Sequence, residues 1–543
     1  MAIKGADFWG VYEKADLVET VFYNVNLLAY KSSKKSVSSL LEDAAQKAPA
    51  KIALVCQEQK LSYSELLEKV IVMASNLKEK YQLLPGERVA VLMGNRLEFV
   101  VSIFAISYLG AVACALNARL APREITYMLK DSGSRILISE DAWVNKLKAY
   151  LPETDVQTVI NIMDTGGNLI ELDGKIVDFF TLFNRKIPRA NRYMVDPDLP
   201  AMLLYTSGTT GKPKGVILTH FNIINSVISY AKVLHLSKED NTVIAVPLFY
   251  VTGLLAQLFL FIYLGGTTYI MREFHTRDLL QLIEEKEITF FHAATAIYNI
   301  LLQAKDREQY SMRSLKMALC GGAPISRSSI RKLIEWMPWL DFRTVYGLTE
   351  SSSPATIFPH KRIFDKQDTA GIPIPVVELK IIDNQGNQLP VGEIGEIALK
   401  GAVIVPGYWN KVQETQQTFK DGWLLTGDLG RIDADGFLYI LDRKKDMIIR
   451  GGENIYSSEV ENVLLEHPKI IEAAVVGIPD PVMGEELKAC VVLKPGECLT
   501  AEDIQDWARA FLAKFKAPRY VEFYDCLPRN ANGKILKAAL KTN

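Results

Sequence analysis

The sequence predicts an α/β protein of parallel sheets covered by helices, followed by an antiparallel, barrel-like section and a small separate α+β domain. Three observations predict it. From Ser36 onward, amphipathic helical stretches alternate with short β-rich runs at 88–94, 135–139, 242–247 and 317–320; strand-then-helix alternation marks a parallel sheet with helical crossovers. After about residue 376 the texture changes to short strands broken by turns: VVELKIID before NQGNQ, then EIALKG, then FLYILD after DADG. Beyond the charged cluster 442–446, a compact pattern reads helix (457–466), strand EAAVVGI, strand ELKACVVLK, helix (502–515), strand and tail.

A chain of 543 residues exceeds what one hydrophobic core usually supports, so at least two domains are expected. The boundary is placed at 442–445, giving a large domain over 36–441 and a smaller one over 446–543. Residues 1–35 carry Phe8, Trp9, Tyr12, Phe22, Tyr23 and Tyr30 and end in KSSKKS. They are expected to form an arm docked on their own domain, the alternative being a helix that touches lipid.

Composition narrows the function. Hydrophobic residues make up 49% and charged residues 23%, the mixture of a globular enzyme. Sixty-two basic residues face sixty-three acidic ones, for a net charge of −1; a nucleic-acid binder would show a basic excess, so no nucleic-acid partner is expected. The six cysteines form no C-x-x-C pair, which argues for buried free thiols and a reducing, cytoplasmic compartment. The N-terminus has charges where a signal peptide needs an apolar run. The apolar stretches 99–116 and 242–271 are long enough to raise a membrane question. Gly110 in the first, and Pro247, Gly253, Gln257 and Gly265-Gly266 in the second, favour buried elements instead: helix then strand, and strand, turn, helix, turn. A peripheral membrane contact is the alternative.

The most informative segment runs from Leu204 to Val216, LYTSGTTGKPKGV. Thr206, Ser207, Thr209 and Thr210 supply hydroxyls, Gly208 and Gly211 let backbone N–H groups approach an anion, and Lys212 and Lys214 neutralise charge. That is the composition needed to wrap a triphosphate. It is not a Walker A loop, because G-x-x-x-x-G-K-[ST] cannot be laid on it. The segment lies between an apolar strand, AMLLY, and an expected helix start at ILTHFNIINSVISYA.

This loop resembles the phosphate loop of the adenylate-forming (ANL) superfamily, which includes acyl-CoA synthetases and peptide-synthetase adenylation domains. The resemblance extends from about residue 36 to the C-terminus through Gly321-Gly322-Ala323-Pro324, Tyr346-Gly347-Leu348-Thr349-Glu350, Thr426-Gly427-Asp428, Arg443, Gly451-Gly452 and Lys534 in PRNANGK. It implies a large domain of two Rossmann-like αβ subdomains plus a distorted β-barrel, with a small mobile C-terminal domain pivoting at 442–445 on Lys445. It also implies an acid–thiol ligase, in which a carboxylic acid and ATP give acyl-AMP and pyrophosphate, and coenzyme A then takes the acyl group. Tyr346 is expected to stack on adenine beside the 321–324 turn, with Gly347 in the same motif, and Thr349 to bond phosphate. Glu350 and Thr206 are expected to hold Mg2+, Asp428 to accept from the ribose hydroxyls, and Arg443 to reach ribose and phosphate. Lys534 is the expected catalytic lysine, and Gly451 and Gly452 the face presented for the CoA step.

The same resemblance places the acid pocket at Phe249, Tyr250, Val251, Gly253, His292 and Gly322. Amino-acid-activating relatives carry an aspartate where this chain reads Phe249-Tyr250-Val251-Thr252. A buried ammonium without a counter-ion is costly, so an apolar acid is expected: a medium- or long-chain fatty acid, with an aryl acid as the alternative. Tyr250 replaces the histidine common in acyl-CoA synthetases. His292 reads either as pocket lining or as a satisfied core histidine. Coenzyme A is the expected acceptor, since no carrier domain follows Asn543; a separate acyl or peptidyl carrier protein is the alternative. A monomer or homodimer is expected.

Overall fold

The computed structural model describes residues 2–163, 176–183, 188–206, 212–359, 366, 368–529 and 535–541. Two large sheets form its centre. The first has seven strands in the order Ile176–Asp178, Thr158–Ile162, Ile136–Glu140, Arg88–Leu92, Val112–Ala115, Pro200–Thr206 and Lys214–Thr219. All pairs are parallel except the last, an antiparallel hairpin. Because a parallel sheet is covered on both faces, its central strands are buried along most of their length, with half-buried residues mainly at strand ends and at the edges of the sheet. Val89 and Val91 face the main core with Phe104, Ile228 and Phe259, whereas Ala90 and Leu92 face a second cluster with Ile125, Leu129 and Val144.

The second sheet has nine strands, with six parallel ones at its centre: Asp341–Tyr346, Met317–Gly321, Phe290–Ala294, Asn241–Ile244, Thr267–Ile270 and Ile52–Cys56. Antiparallel strands close both edges. The two apolar stretches become interior elements. Residues 99–116 form most of helix Leu97–Tyr108 and strand Val112–Ala115. Residues 242–271 form a strand, a helical run over 251–264 with a π-helical segment at Leu254–Phe259, and a second strand. Among the described residues, no helix is long and apolar enough to cross a membrane.

Next comes an antiparallel sheet of Val377–Ile382, Gly395–Gly401, Trp423–Ile432, Phe419–Lys420 and Leu438–Arg443, joined at one edge by Ile3–Lys4. The N-terminal segment therefore docks on its own chain. Trp9 Nε1 donates to the Pro373 carbonyl at 2.8 Å, and 17–30 is a hairpin of Leu17–Phe22 with Val25–Tyr30. Its α-helix, Val11–Lys14, is a single turn.

The C-terminal part has its own five-stranded sheet of Glu453–Ile455, Ile448–Arg450, Gly484–Leu493, Ile470–Asp480 and Tyr520–Phe523. Helices Ser457–Leu465 and Ala501–Phe511 pack on one face, and Leu527 and Leu540 on the other.

Three details differ from the sequence reading. The expected helix start at 217–219 belongs to strand Lys214–Thr219, and the helix begins at His220. Pairing with Pro200–Thr206 keeps Val216, Ile217 and Leu218 extended, and Thr219 and Asn222 form a capping box that starts the helix. The helix expected over 502–515 ends at Phe511, because Leu512 turns to extended backbone. All six cysteines are free, but only Cys56, Cys114, Cys320 and Cys490 are buried; Cys498 and Cys526 are exposed.

Candidate active site

Tyr346 ends the strand Asp341–Tyr346 at the boundary with the antiparallel sheet. Its hydroxyl donates to Asp428 Oδ2 at 2.8 Å. Asp428 stands opposite Arg443 in the ladder of Trp423–Ile432 with Leu438–Arg443, and Arg443 Nε meets Asp428 Oδ1 at 3.0 Å. The Asp428 N–H donates to Thr426 Oγ1 at 3.1 Å. Both carboxylate oxygens of a buried aspartate are thus occupied, as burial of a charge demands. Burial first, and the Asp428 charge second, push the Tyr346 phenol well above its ordinary pKa. Gly347 follows where a Cβ would lie 1.4 Å from the Ser353 carbonyl oxygen, so the turn after Tyr346 admits only glycine. That turn leads into the short 3-10 helix Thr349–Ser351, which carries Thr349 and Glu350.

Glu350 opens the second cluster. Its Oε1 accepts from the Tyr408 hydroxyl at 2.8 Å, and Lys214 Nζ lies 5.0 Å from the centre of the same tyrosine ring, within cation–π range. Lys214 stands directly opposite Thr206 at the mouth of the hairpin. The connecting residues Ser207, Gly208, Thr209, Thr210 and Gly211 lie outside the described residues, as does Lys534. Lys212 Nζ is 6.0 Å from the Tyr127 ring. Hairpin strands thus bring a hydroxyl and a lysine together at the ends of the phosphate-loop segment.

Among the described residues, no three of His, Cys, Asp and Glu gather as a metal cage. Mg2+ does not need one, since it commonly keeps several waters and is held by one or two carboxylates plus substrate phosphates. Glu350 fits that pattern: its second oxygen has no described partner, and Thr206 lies on the same side as Lys214.

The residues expected to line the acid pocket lie on or just beyond three neighbouring strands, Asn241–Ile244, Phe290–Ala294 and Met317–Gly321. Tyr250 OH accepts from Asn117 Nδ2 at 2.9 Å, linking the two large sheets, and its ring meets Phe249 edge-on at 4.8 Å. Burial pushes the Tyr250 phenol up to about 12. Val251 begins the helical run, and Gly253 sits where a Cβ would lie 2.6 Å from the Pro247 carbonyl oxygen. In the next segment Gly322 has φ +84 with open space where a side chain would project. The Ala323 carbonyl accepts from Thr295 Oγ1 at 2.8 Å just before Pro324. His292 is 2% exposed, and neither ring nitrogen has a hydrogen-bond partner among the described residues. A Cβ on Gly321 would lie 3.3 Å from His292 Nε2. Burial lowers the imidazole to about 3, so it is neutral at ordinary pH.

The remaining predicted residues lie on the C-terminal side. Lys445 is exposed. Gly451 and Gly452 form a surface turn with φ +58 and +88, the Gly451 N–H donating to the Met483 carbonyl at 2.8 Å. Among the described residues, no hydrogen bond or ion pair joins this turn to either cluster. Sequence reasoning passed over Tyr408 and Asn117, and read Asp442 only as part of the charged boundary at 442–445. Asp442 Oδ2 accepts from the Ser457 N–H at 2.5 Å and from Ser457 Oγ at 2.7 Å. Tyr408 carried one weak signal, the Pro406-Gly407 turn that precedes it.

Two parallel α/β sheets, an antiparallel sheet and a small C-terminal α+β part are the architecture of an adenylate-forming enzyme. The chain belongs to the AMP-binding enzyme family of the ANL superfamily: the model for the AMP-binding enzyme matches residues 41–409, and that for the AMP-binding enzyme C-terminal domain matches 459–534. It falls in the class of AMP-forming acid–thiol ligases. A long-chain-fatty-acid–CoA ligase from Salmonella typhimurium is 32% identical over 93% of this chain and 94% of its own. A fatty acid–[acyl-carrier-protein] ligase from Streptomyces coeruleorubidus is 34% identical over 92% and 94%. The solved o-succinylbenzoate CoA synthetase of Bacillus subtilis, in complex with its acyl-adenylate intermediate, is 33% identical. It superposes with a TM-score of 0.83 over 93% of this chain and 98% of that one.

Proposed function

We propose that the protein activates a medium- or long-chain fatty acid with ATP as the acyl-adenylate and transfers the acyl group to coenzyme A. The observation that carries this reading is the adjacency of the two clusters: Tyr346, Asp428 and Arg443 on one side of the 346–350 turn, Glu350, Tyr408 and Lys214 on the other.

In the first half-reaction, Tyr346 and the 321–324 turn hold adenine, and Asp428 with Arg443 takes the ribose. Thr206, Lys212, Lys214 and the residues 207–211 between them bind the β- and γ-phosphates, with Thr349 on phosphate. An ionised carboxylate attacks the α-phosphorus and pyrophosphate leaves, so no general base is needed. The obstacle is repulsion between two anions. Glu350 and Thr206 would hold Mg2+, which when bound would supply charge neutralisation. Lys534 adds a cation where negative charge grows in the transition state. In the second half-reaction the CoA sulfur attacks the acyl carbonyl and AMP leaves. The 446–543 domain, turning on the 442–445 hinge at Lys445, exchanges its Lys534 face for the face carrying Gly451 and Gly452.

Phe249, Val251 and Gly253 favour an aliphatic chain. A second reading, an aryl acid or one carrying a hydrogen-bonding substituent, is favoured by His292, which has no hydrogen-bond partner among the described residues, since a buried imidazole gains by meeting a donor or acceptor. The carrier-protein alternative is supported by the Streptomyces relative. The test is pyrophosphate release over acids of graded length and ring content, with CoA, with acyl carrier protein, and with neither. Release with no acid in the panel would overturn the proposal, as would release unaffected by thiol acceptors.

A further inference from the structure

Tyr408 is tied to both phosphate-side groups at once. Its hydroxyl reaches Glu350 Oε1 at 2.8 Å, and its ring lies under the Lys214 ammonium at 5.0 Å. Its backbone is fixed on the same two elements. Residues 407–409 lie along the strand that begins at Lys214: Ile217 N–H donates to the Gly407 carbonyl at 3.1 Å, and Trp409 N–H donates to the Gly215 carbonyl at 2.7 Å. Val216 and Tyr408 form a bridge pair. Val405 N–H donates to the Glu350 carbonyl at 3.0 Å, and Tyr408 N–H donates to Thr415 Oγ1 at 3.0 Å. The ring is buried and edge-packed against Phe419 at 5.7 Å. Free rotation of the phenol is therefore prevented from several sides.

A half-buried carboxylate with one oxygen unheld can rotate, and a cation offered to it must then fix its direction. A rigid hydroxyl on one oxygen removes that rotation and aims the other oxygen. We infer that Tyr408 is a positioning residue that orients the Glu350 carboxylate for the divalent cation and sets Lys214 at a fixed height beside the nucleotide phosphates. The inference rests on the proposed role of Glu350. It assigns Tyr408 two separable duties, one carried by its hydroxyl and the other by its ring.

The two duties predict different variants. Tyr408→Phe keeps the ring and loses the hydroxyl. It should weaken Mn2+ binding to the enzyme–ATP complex, read by electron paramagnetic resonance, by about 10- to 100-fold, the usual effect of losing a hydrogen-bond partner of a metal ligand. It should leave AMP affinity unchanged. Tyr408→Leu loses both and should further weaken ATP binding measured without divalent cation, again sparing AMP. In a Glu350→Gln background, Tyr408→Phe should add nothing to the Mn2+ defect, because the path through the carboxylate is already gone.

The outcomes separate the inference from the reading beneath it. If Glu350→Gln leaves Mn2+ binding intact, the assignment of Glu350 fails. If Glu350→Gln weakens it while Tyr408→Phe does not, or if the two losses multiply, the role of Tyr408 fails. A general packing defect would lower AMP affinity and melting temperature together in Tyr408→Phe, and that result also overturns the inference.

Discussion

Tyr346 and Asp428 meet through a 2.8 Å hydrogen bond across 82 residues of sequence, joining the parallel sheet to the antiparallel one. The bond holds the carboxylate against Arg443 and fixes the tyrosine ring at the same time. A nucleoside that replaces the phenol or the guanidinium at Asp428 finds an acceptor already oriented.

Asp428→Ala should weaken AMP and ATP affinity by about 10- to 100-fold, the range for losing one hydrogen bond to a charged group. Isothermal calorimetry measures it. Equal affinity for wild type and variant would remove Asp428 from the nucleotide site.

Lys534→Ala should block formation of the adenylate while leaving thioester formation from supplied acyl-AMP largely intact. Pyrophosphate release and acyl-CoA formation are followed separately. Parallel loss of both half-reactions would refute a role confined to the first.

Lys445→Pro stiffens the exposed backbone between the two parts of the chain. Adenylation should be spared and thioester formation slowed, read by single-turnover kinetics on preformed acyl-adenylate. An unchanged second step would move the pivot elsewhere.

His292 gives a pH signature. Its imidazole protonates near 3 in the folded protein, against an ordinary value of 6.5, so between those limits the unfolded chain binds more protons and acid favours unfolding. Stability should fall by about 1.4 kcal/mol per pH unit below 6.5 from this group. Buried His220, lowered to about 4, acts in the same direction. His292→Leu should flatten the acid limb of a melting-temperature profile, and an unaltered slope would contradict neutral burial. The same variant should favour plain alkanoic acids over hydroxy-substituted ones in the pyrophosphate assay.

Much of this was legible in the residues. The alternation of strand and helix located both parallel sheets, and loss of that alternation after 376 located the antiparallel one. Gly347 looked like part of a motif, and the reason for it, a carbonyl 1.4 Å from any Cβ, appears only in three dimensions. Val216, Ile217 and Leu218 are as compatible with a helix as with a strand; their extended form comes from pairing with a segment ten or more residues earlier. Tyr408 and Asn117 escaped notice because neither carries charge. Their significance lies in partners 58 and 133 residues away, and no local pattern reports such distances.

Asp442 precedes the proposed pivot and Ser457 follows it, yet the aspartate receives both the amide and the hydroxyl at the first turn of helix Ser457–Leu465. A swing about Lys445 would pull this clasp apart and leave the Ser457 amide without its acceptor, which costs about 1 kcal/mol. The pose seen here therefore has a built-in restoring bias. Cargo that drives the tail to its other position must overcome this carboxylate and the neighbouring bond from Ser458 Oγ to the Leu441 carbonyl.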